Sequence, residues 1–225
     1  MMQVYLIRHS YTEGNLKKRY IGKTDEPLCE TGITLLEKRT YPEAERIYVS
    51  PMLRCRQSAE IMYPGKPYEI IEELRECDFG IFENKNYQEL NGCEAYQKWI
   101  DSMGMLPFPE GESRESFRER TLKGFQKGID ACKRAGVKKA AFVIHGGNIM
   151  NIMETYARPV GTYYDYQIKN GEGYELFISD DDSGCCGNFS GSALGGSEMA
   201  LSSGQTDWPS DYMVRKNYQE LFAEE

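Results

Sequence analysis

Val4-Tyr5-Leu6-Ile7 is an apolar run that meets Arg8-His9-Ser10-Tyr11-Thr12-Glu13-Gly14-Asn15 with no turn signal between them. Four consecutive apolar residues cut off by charge predict a short strand. The polar residues that follow then lie at its carboxyl end, where the loops of α/β folds gather to bind ligands. Ala140-Ala141-Phe142-Val143-Ile144 followed by His145-Gly146-Gly147 repeats this arrangement. The chain has two histidines, and each comes within two residues of the end of such a run.

Working outward, strands are predicted at Val4–Ile7, Arg46–Val49, Tyr68–Ile71, Ala140–Ile144 and Tyr174–Ile178. Helices are predicted near Thr31–Arg39, Met52–Met62, Tyr87–Asp101, Ser113–Arg134 and Asn148–Tyr156. In the longest of these, Phe117, Leu122, Phe125, Ile129 and Cys132 fall close to one face. Strands alternating with helices indicate an α/β layer fold.

The chain has 225 residues and a formal net charge of -8. Residues 180–225 hold nine acids and two bases, which leaves residues 1–179 almost neutral. We therefore expect one folded domain over 1–179 and an acidic, Gly/Ser-rich linker with a short tail over 180–225. The small-residue stretch at 183–205 cannot bury enough apolar area to offset the entropy of ordering it. Trp208, Tyr212, Tyr218, Leu221 and Phe222 could form a helix that docks on its own domain or across a homo-oligomer.

The acidic balance excludes a nucleic-acid groove, which needs a basic stripe. No apolar run reaches the roughly 18 residues that span a bilayer, so neither a membrane anchor nor a secretion signal is expected. Seven cysteines, an odd number with no C-x-x-C pair and one vicinal pair at Cys185-Cys186, suggest reduced thiols in a cytoplasm.

Other strand ends add charge. Ser50-Pro51-Met52-Leu53-Arg54-Cys55-Arg56-Gln57 follows the second strand and puts Arg54 in the first turn of a helix. Leu74-Arg75-Glu76-Cys77-Asp78-Phe79-Gly80 follows the third and offers the Glu76 carboxylate. Glycines after His145 would let backbone N–H groups approach an anion at a helix start.

In chain order these segments resemble the histidine phosphatase superfamily, also called phosphoglycerate mutase-like, and within it the small phosphatases such as α-ribazole phosphatase. The resemblance is carried by Leu6–Asn15, Gly22–Gly32, Ser50–Arg54 with Gln57–Glu60, Glu76 with Phe79-Gly80 and Glu83, Pro109–Ser113, and His145–Gly147. It implies a three-layer α/β/α sandwich around a mixed, mostly parallel sheet, with no nucleotide cofactor. Ser10, Phe82, Asn84, Cys29 and Cys55 depart from the family pattern without removing a catalytic group.

The resemblance further implies that His9 attacks phosphorus and is transiently phosphorylated. Nearby Arg8 and Arg54 would keep its imidazole neutral and grip phosphate oxygens, and His145 would complete the cage. Glu76 would protonate the leaving group and then activate water. Burial and the neighbouring cations act on Glu76 in opposite directions. Thr12, Asn15 and the Gly146 backbone are further phosphate contacts, with capping and turn formation as the competing explanation. Ser10, Lys23 and Thr24 are weaker substrate contacts; Arg56 and Arg75, with Lys23, could meet a second anionic group or be surface charges.

Rival phosphate chemistries fit poorly. Gly22-Lys23-Thr24 resembles the end of a P-loop, but Lys17 stands where that motif needs glycine. No cysteine is followed six positions later by arginine, as a cysteine phosphatase requires. Asp180-Asp181-Asp182 leaves too little chain for an aspartate-nucleophile domain. Two distant histidines make a poor metal site, so no metal is expected. The expected activity is a metal-independent phosphomonoesterase acting on a small phosphorylated metabolite. The alternatives are a mutase and a non-catalytic phosphate-ester binding protein. The 69 positions between Glu76 and His145 fit the compact phosphatase form.

Overall fold

The computed structural model describes residues 1–157 and 161–178 and the backbone of 193–194. Its sheet is built from β1 (Met2–Arg8), β2 (Arg46–Val49), β3 (Glu69–Ile70), β4 (Lys139–Ile144), β5 (Gly173–Ile178) and β6 (Ala193–Leu194), in the order β3-β2-β4-β1-β5-β6. The pairs β1–β4, β2–β4 and β2–β3 are parallel, whereas β1–β5 and β5–β6 are antiparallel. The helices are α1 (Glu13–Leu16), α2 (Glu30–Glu37), α3 (Leu53–Met62), α4 (Glu94–Asp101), α5 (Arg114–Ala135) and α6 (Gly146–Tyr156).

Successive strand residues face opposite layers. Val4, Leu6, Tyr48, Ala140, Phe142 and Ile144 join the core that includes Phe125 and Ile129 of α5 and Ile149 and Ile152 of α6. Tyr5, Ile7, Ile47, Val49, Ala141 and Val143 join the opposite core, with Leu36 of α2 and Cys55 and Ala59 of α3. Apolar side chains on both faces make the continuous hydrophobic runs of a parallel sheet, and the three-layer sandwich follows. Gly128 of α5 leaves room for the Phe142 ring, which a Cβ there would approach to 2.7 Å. Ser113 caps α5 by accepting the Ser116 N–H, and Gly136 ends it in the left-handed region at φ 67°.

Two predicted elements shrink. The strand expected at Tyr68–Ile71 is only Glu69–Ile70, exposed at the sheet edge. The helix expected from Tyr87 begins at Glu94, because the Asn86 side chain captures the Gln88 and Glu89 N–H groups in a turn and Gly92 adopts φ 81°. Around α4 a third core forms from Phe82, Leu90, Tyr96 and Trp99, with Tyr20, Phe79 and Phe108 packed on it.

Ala193–Leu194, inside the stretch read as a linker, pair with Gly173–Tyr174 as β6. The rest of 180–225, with the Trp208–Phe222 segment and Cys185-Cys186, lies outside the described residues. The five described cysteines are free thiols. No helix among the described residues is long and apolar enough to cross a membrane.

Candidate active site

Because β1, β2 and β4 are parallel, their carboxyl ends bring Arg8 and His9, Ser50, and His145 to one edge of the sheet. His9 follows β1, and its Nδ1 lies 2.7 Å from the Ser10 carbonyl oxygen. A carbonyl only accepts, so Nδ1 carries the proton and the lone pair of the neutral ring sits on Nε2. Burial, then the charges of Arg54 and Arg8, hold the His9 pKa well below the usual 6.5. Its ring meets that of His145 edge to face, with centroids 5.1 Å apart.

Arg54 is wholly buried in the first turn of α3. Its Nη1 donates to Thr24 O at 2.9 Å, and its Nη2 to Ile21 O and Gly22 O at 3.2 and 3.0 Å. Arg8 Nη1 donates to Ile168 O at 2.6 Å. The Nε–H groups of both arginines are buried and make no hydrogen bond. Two arginines whose positive charge falls on a neutral imidazole are chemically suited to an anion.

His145 ends β4 and precedes α6. Burial and the charges of Arg54, His9, Arg8 and Arg120 hold its pKa well below 6.5. Its Nε2 lies 2.7 Å from Ser50 Oγ and its Nδ1 3.9 Å from Glu76 Oε2. The glycines after it serve close packing of side chains: a Cβ on Gly146 would come within 3.3 Å of Arg8 Nε, and one on Gly147 within 2.9 Å of Glu76 Oε1.

Glu76 follows β3 through a turn of 3₁₀ helix at Glu72–Leu74. Burial outweighs the Cys77 N–H bond and the charges of Arg54, Arg8 and Arg120, so its pKa is raised above 4.5. Its loop is stapled by Arg120 of α5, which donates to Glu73 O, Arg75 O and Glu76 O while forming a two-pronged ion pair with Glu112 at 3.0 and 2.6 Å.

The remaining expected contacts are more dispersed. Thr12 and Asn15 cap α1 reciprocally: Thr12 Oγ1 accepts the Asn15 N–H and Asn15 Oδ1 accepts the Thr12 N–H. The Ser10 hydroxyl donates to Gly32 O at 2.8 Å, which engages its proton on the first turn of α2. Lys23 is exposed and pairs with Asp78 at 3.2 Å, and Arg75 is exposed as well. Thr24 offers its carbonyl to Arg54 and its N–H to Glu83. Arg56 is half-buried on α3. Sequence reasoning missed Ser50, Arg120 and Asn170, whose Nδ2 donates to His9 O at 3.0 Å. Ser50 alone carried a signal, since it too directly follows a predicted strand.

The family model described as histidine phosphatase superfamily (branch 1) matches residues 4–184. The chain belongs to that superfamily. It is 33% identical over 157 residues to a Photorhabdus laumondii protein named "Probable phosphoglycerate mutase GpmB", covering 65% of this chain and 70% of that one. It is 26% identical over 179 residues to the adenosylcobalamin/α-ribazole phosphatase of Salmonella typhimurium, covering 76% and 87%. Among solved structures, the α-ribazole phosphatase of Shigella flexneri shares the fold with a TM-score of 0.69 at 22% identity, over 80% of this chain and 92% of that one. Membership makes the chain an enzyme of phosphate-ester chemistry, in a superfamily whose named relatives include phosphatases and mutases.

Proposed function

We propose that this member of the superfamily hydrolyses a small phosphomonoester through a phosphohistidine on His9, without a metal. The observation that carries this reading is the hydrogen bond from His9 Nδ1 to Ser10 O, which leaves the Nε2 lone pair of a buried imidazole free under the positive charges of Arg54 and Arg8.

In the first step His9 Nε2 forms a bond to phosphorus as the ester P–O bond breaks. The departing oxygen takes the proton of Glu76, whose raised pKa favours the acid form. In the second, Glu76 takes a proton from water as the water oxygen bonds to phosphorus, and the N–P bond breaks to return the lone pair to Nε2. Arg8, Arg54 and His145 stabilise the charge on the transferring oxygens. In this reading Thr12, Asn15 and the Gly146 backbone add phosphate contacts, and Lys23 and Thr24 are weaker substrate contacts.

Mutase action is the second reading, supported by the 33% identity to the mutase-named relative. The compact spacing of Glu76 and His145 supports hydrolysis, because mutases of this type carry a larger insertion there that excludes water. The test is phosphate release from a panel of phosphomonoesters by wild type and His9→Ala, with isomerisation of phosphoglycerate followed separately and a chelator arm. Release that is abolished by His9→Ala and survives chelation is expected. No release from any ester, or wild-type rates in His9→Ala, would overturn the proposal.

A further inference from the structure

Arg54 can meet a phosphate only if the backbone cage that grips it stays in place. That cage is Ile21 O, Gly22 O and Thr24 O, and the loop that supplies them is held from behind by Glu83. Glu83 Oε1 accepts the N–H groups of Gly22 and Thr24, both at 2.8 Å. The Gly22 N–H and the Ile21 carbonyl belong to one peptide group. A carboxylate therefore holds the positive end of that peptide dipole and a guanidinium the negative end, so each bond polarises and strengthens the other.

The surrounding chain keeps Glu83 in register. Asn84 N donates to Tyr20 O at 2.7 Å and Tyr20 N to Lys85 O at 2.9 Å, which pairs the two segments alongside each other. On its other side Gly22 packs on the Cys77 carbonyl, which a Cβ would overlap. One clamp thus sets both the Arg54 cage and its spacing from the Glu76 loop. Glu83 Oε2 is buried without a hydrogen-bond partner, a cost to stability that marks a residue held for placement rather than for folding.

We infer that Glu83 is a positioning residue for Arg54, acting through the Ile21–Gly22 peptide and the Gly22–Thr24 loop. The inference rests on the reading of Arg54 as a phosphate ligand.

The test compares Glu83→Ala and Glu83→Gln with wild type by inorganic phosphate binding and by NMR titration of the imidazoles. Only two histidines give signals, and His9 faces Arg8, Arg54 and His145. Loss of two charge-assisted hydrogen bonds and displacement of the guanidinium should weaken phosphate binding by about tenfold or more in Glu83→Ala. The His9 titration should move up as Arg54 withdraws. Glu83→Gln keeps an oxygen able to accept both N–H groups and should stay within about threefold of wild type. If Glu83→Ala does not fold, Glu83→Asp, whose shorter side chain cannot reach both N–H groups, takes its place with the same expectations.

Wild-type phosphate affinity and an unmoved His9 titration in the folded Ala or Asp variant overturn the inference alone, as does a Gln variant as weak as Ala. Absence of saturable phosphate binding by the wild type overturns the phosphate-site reading and this inference with it.

Discussion

Ser50 Oγ lies 2.7 Å from His145 Nε2, joining the ends of two parallel strands from positions 95 residues apart. The Met52 N–H donates to the same hydroxyl oxygen at 3.4 Å, so Ser50 is tied both to the start of α3 and to the imidazole. With Nε2 bonded to Ser50, the ring turns Nδ1 to the Glu76 side, 3.9 Å from Oε2. Ser50→Ala should free the His145 ring from this bond, lower kcat by about 10- to 100-fold and cost about 1–3 kcal/mol in stability. The ¹⁵N shifts of His145 with steady-state kinetics check this; unchanged shifts and rate would sink it.

Glu76 is the proposed proton donor, so its importance should depend on the leaving group. Glu76→Gln should slow hydrolysis of an alkyl phosphate by about 10²- to 10⁴-fold and that of p-nitrophenyl phosphate far less, because nitrophenolate departs without protonation. Equal losses on both esters would remove Glu76 from the acid role.

The pH profile of kcat/KM follows from the same two groups. Attack needs neutral His9, so the rate should rise with pH through the lowered His9 pKa, below 6.5. Protonation of the leaving group needs acidic Glu76, so the rate should fall as that raised carboxyl ionises, above 4.5. The falling limb should appear with an alkyl phosphate and be absent with p-nitrophenyl phosphate, whose leaving group needs no proton; a limb equally strong with both esters belongs to another group.

Stability carries the matching signs. Both imidazoles titrate below 6.5 when folded, so the unfolded chain binds more protons there and stability falls as pH drops through 6.5. Glu76 opposes this, since the folded chain keeps a proton above 4.5 that the unfolded chain has released. Glu76→Gln should therefore make Tm fall more steeply than in wild type as pH decreases from about 7 to about 5. Parallel Tm curves would show that Glu76 titrates as an ordinary carboxyl.

The Arg120–Glu112 pair is about one-tenth exposed, with side-chain values of 12% and 11%. Removing one partner of such a buried pair strands the other charge, so Arg120→Ala should cost about 3 kcal/mol or more in urea unfolding. It should also loosen the Glu76 loop and lower kcat. A change within about 1 kcal/mol would reduce the pair to a surface ion pair.

Elements carried by unbroken apolar runs were legible in the sequence. β1, β2, β4 and β5 lie where their runs predict them, and α5 shows its buried stripe in advance. Tyr87–Asp101 misled because its apolar spacing serves a compact aromatic core, while a turn at Asn86 and the left-handed Gly92 interrupt the helix. Ser10 misled differently: its place beside His9 was visible, but its hydroxyl partner, Gly32 O, belongs to helix α2, 22 positions away.

The sequence alone determined the alternation of strands and helices, the two histidines at strand ends, and the chain-order motifs of the histidine phosphatase superfamily. These are local patterns, written in neighbouring residues. Only the tertiary structure decided that burial outweighs three arginines to raise the Glu76 pKa, that Ser50 bonds the His145 ring, and that Arg120 staples a loop 44 positions away. Each of those outcomes is a balance of desolvation, charge and hydrogen bonding among residues far apart in the chain, and that balance exists only once the sheet has brought them together.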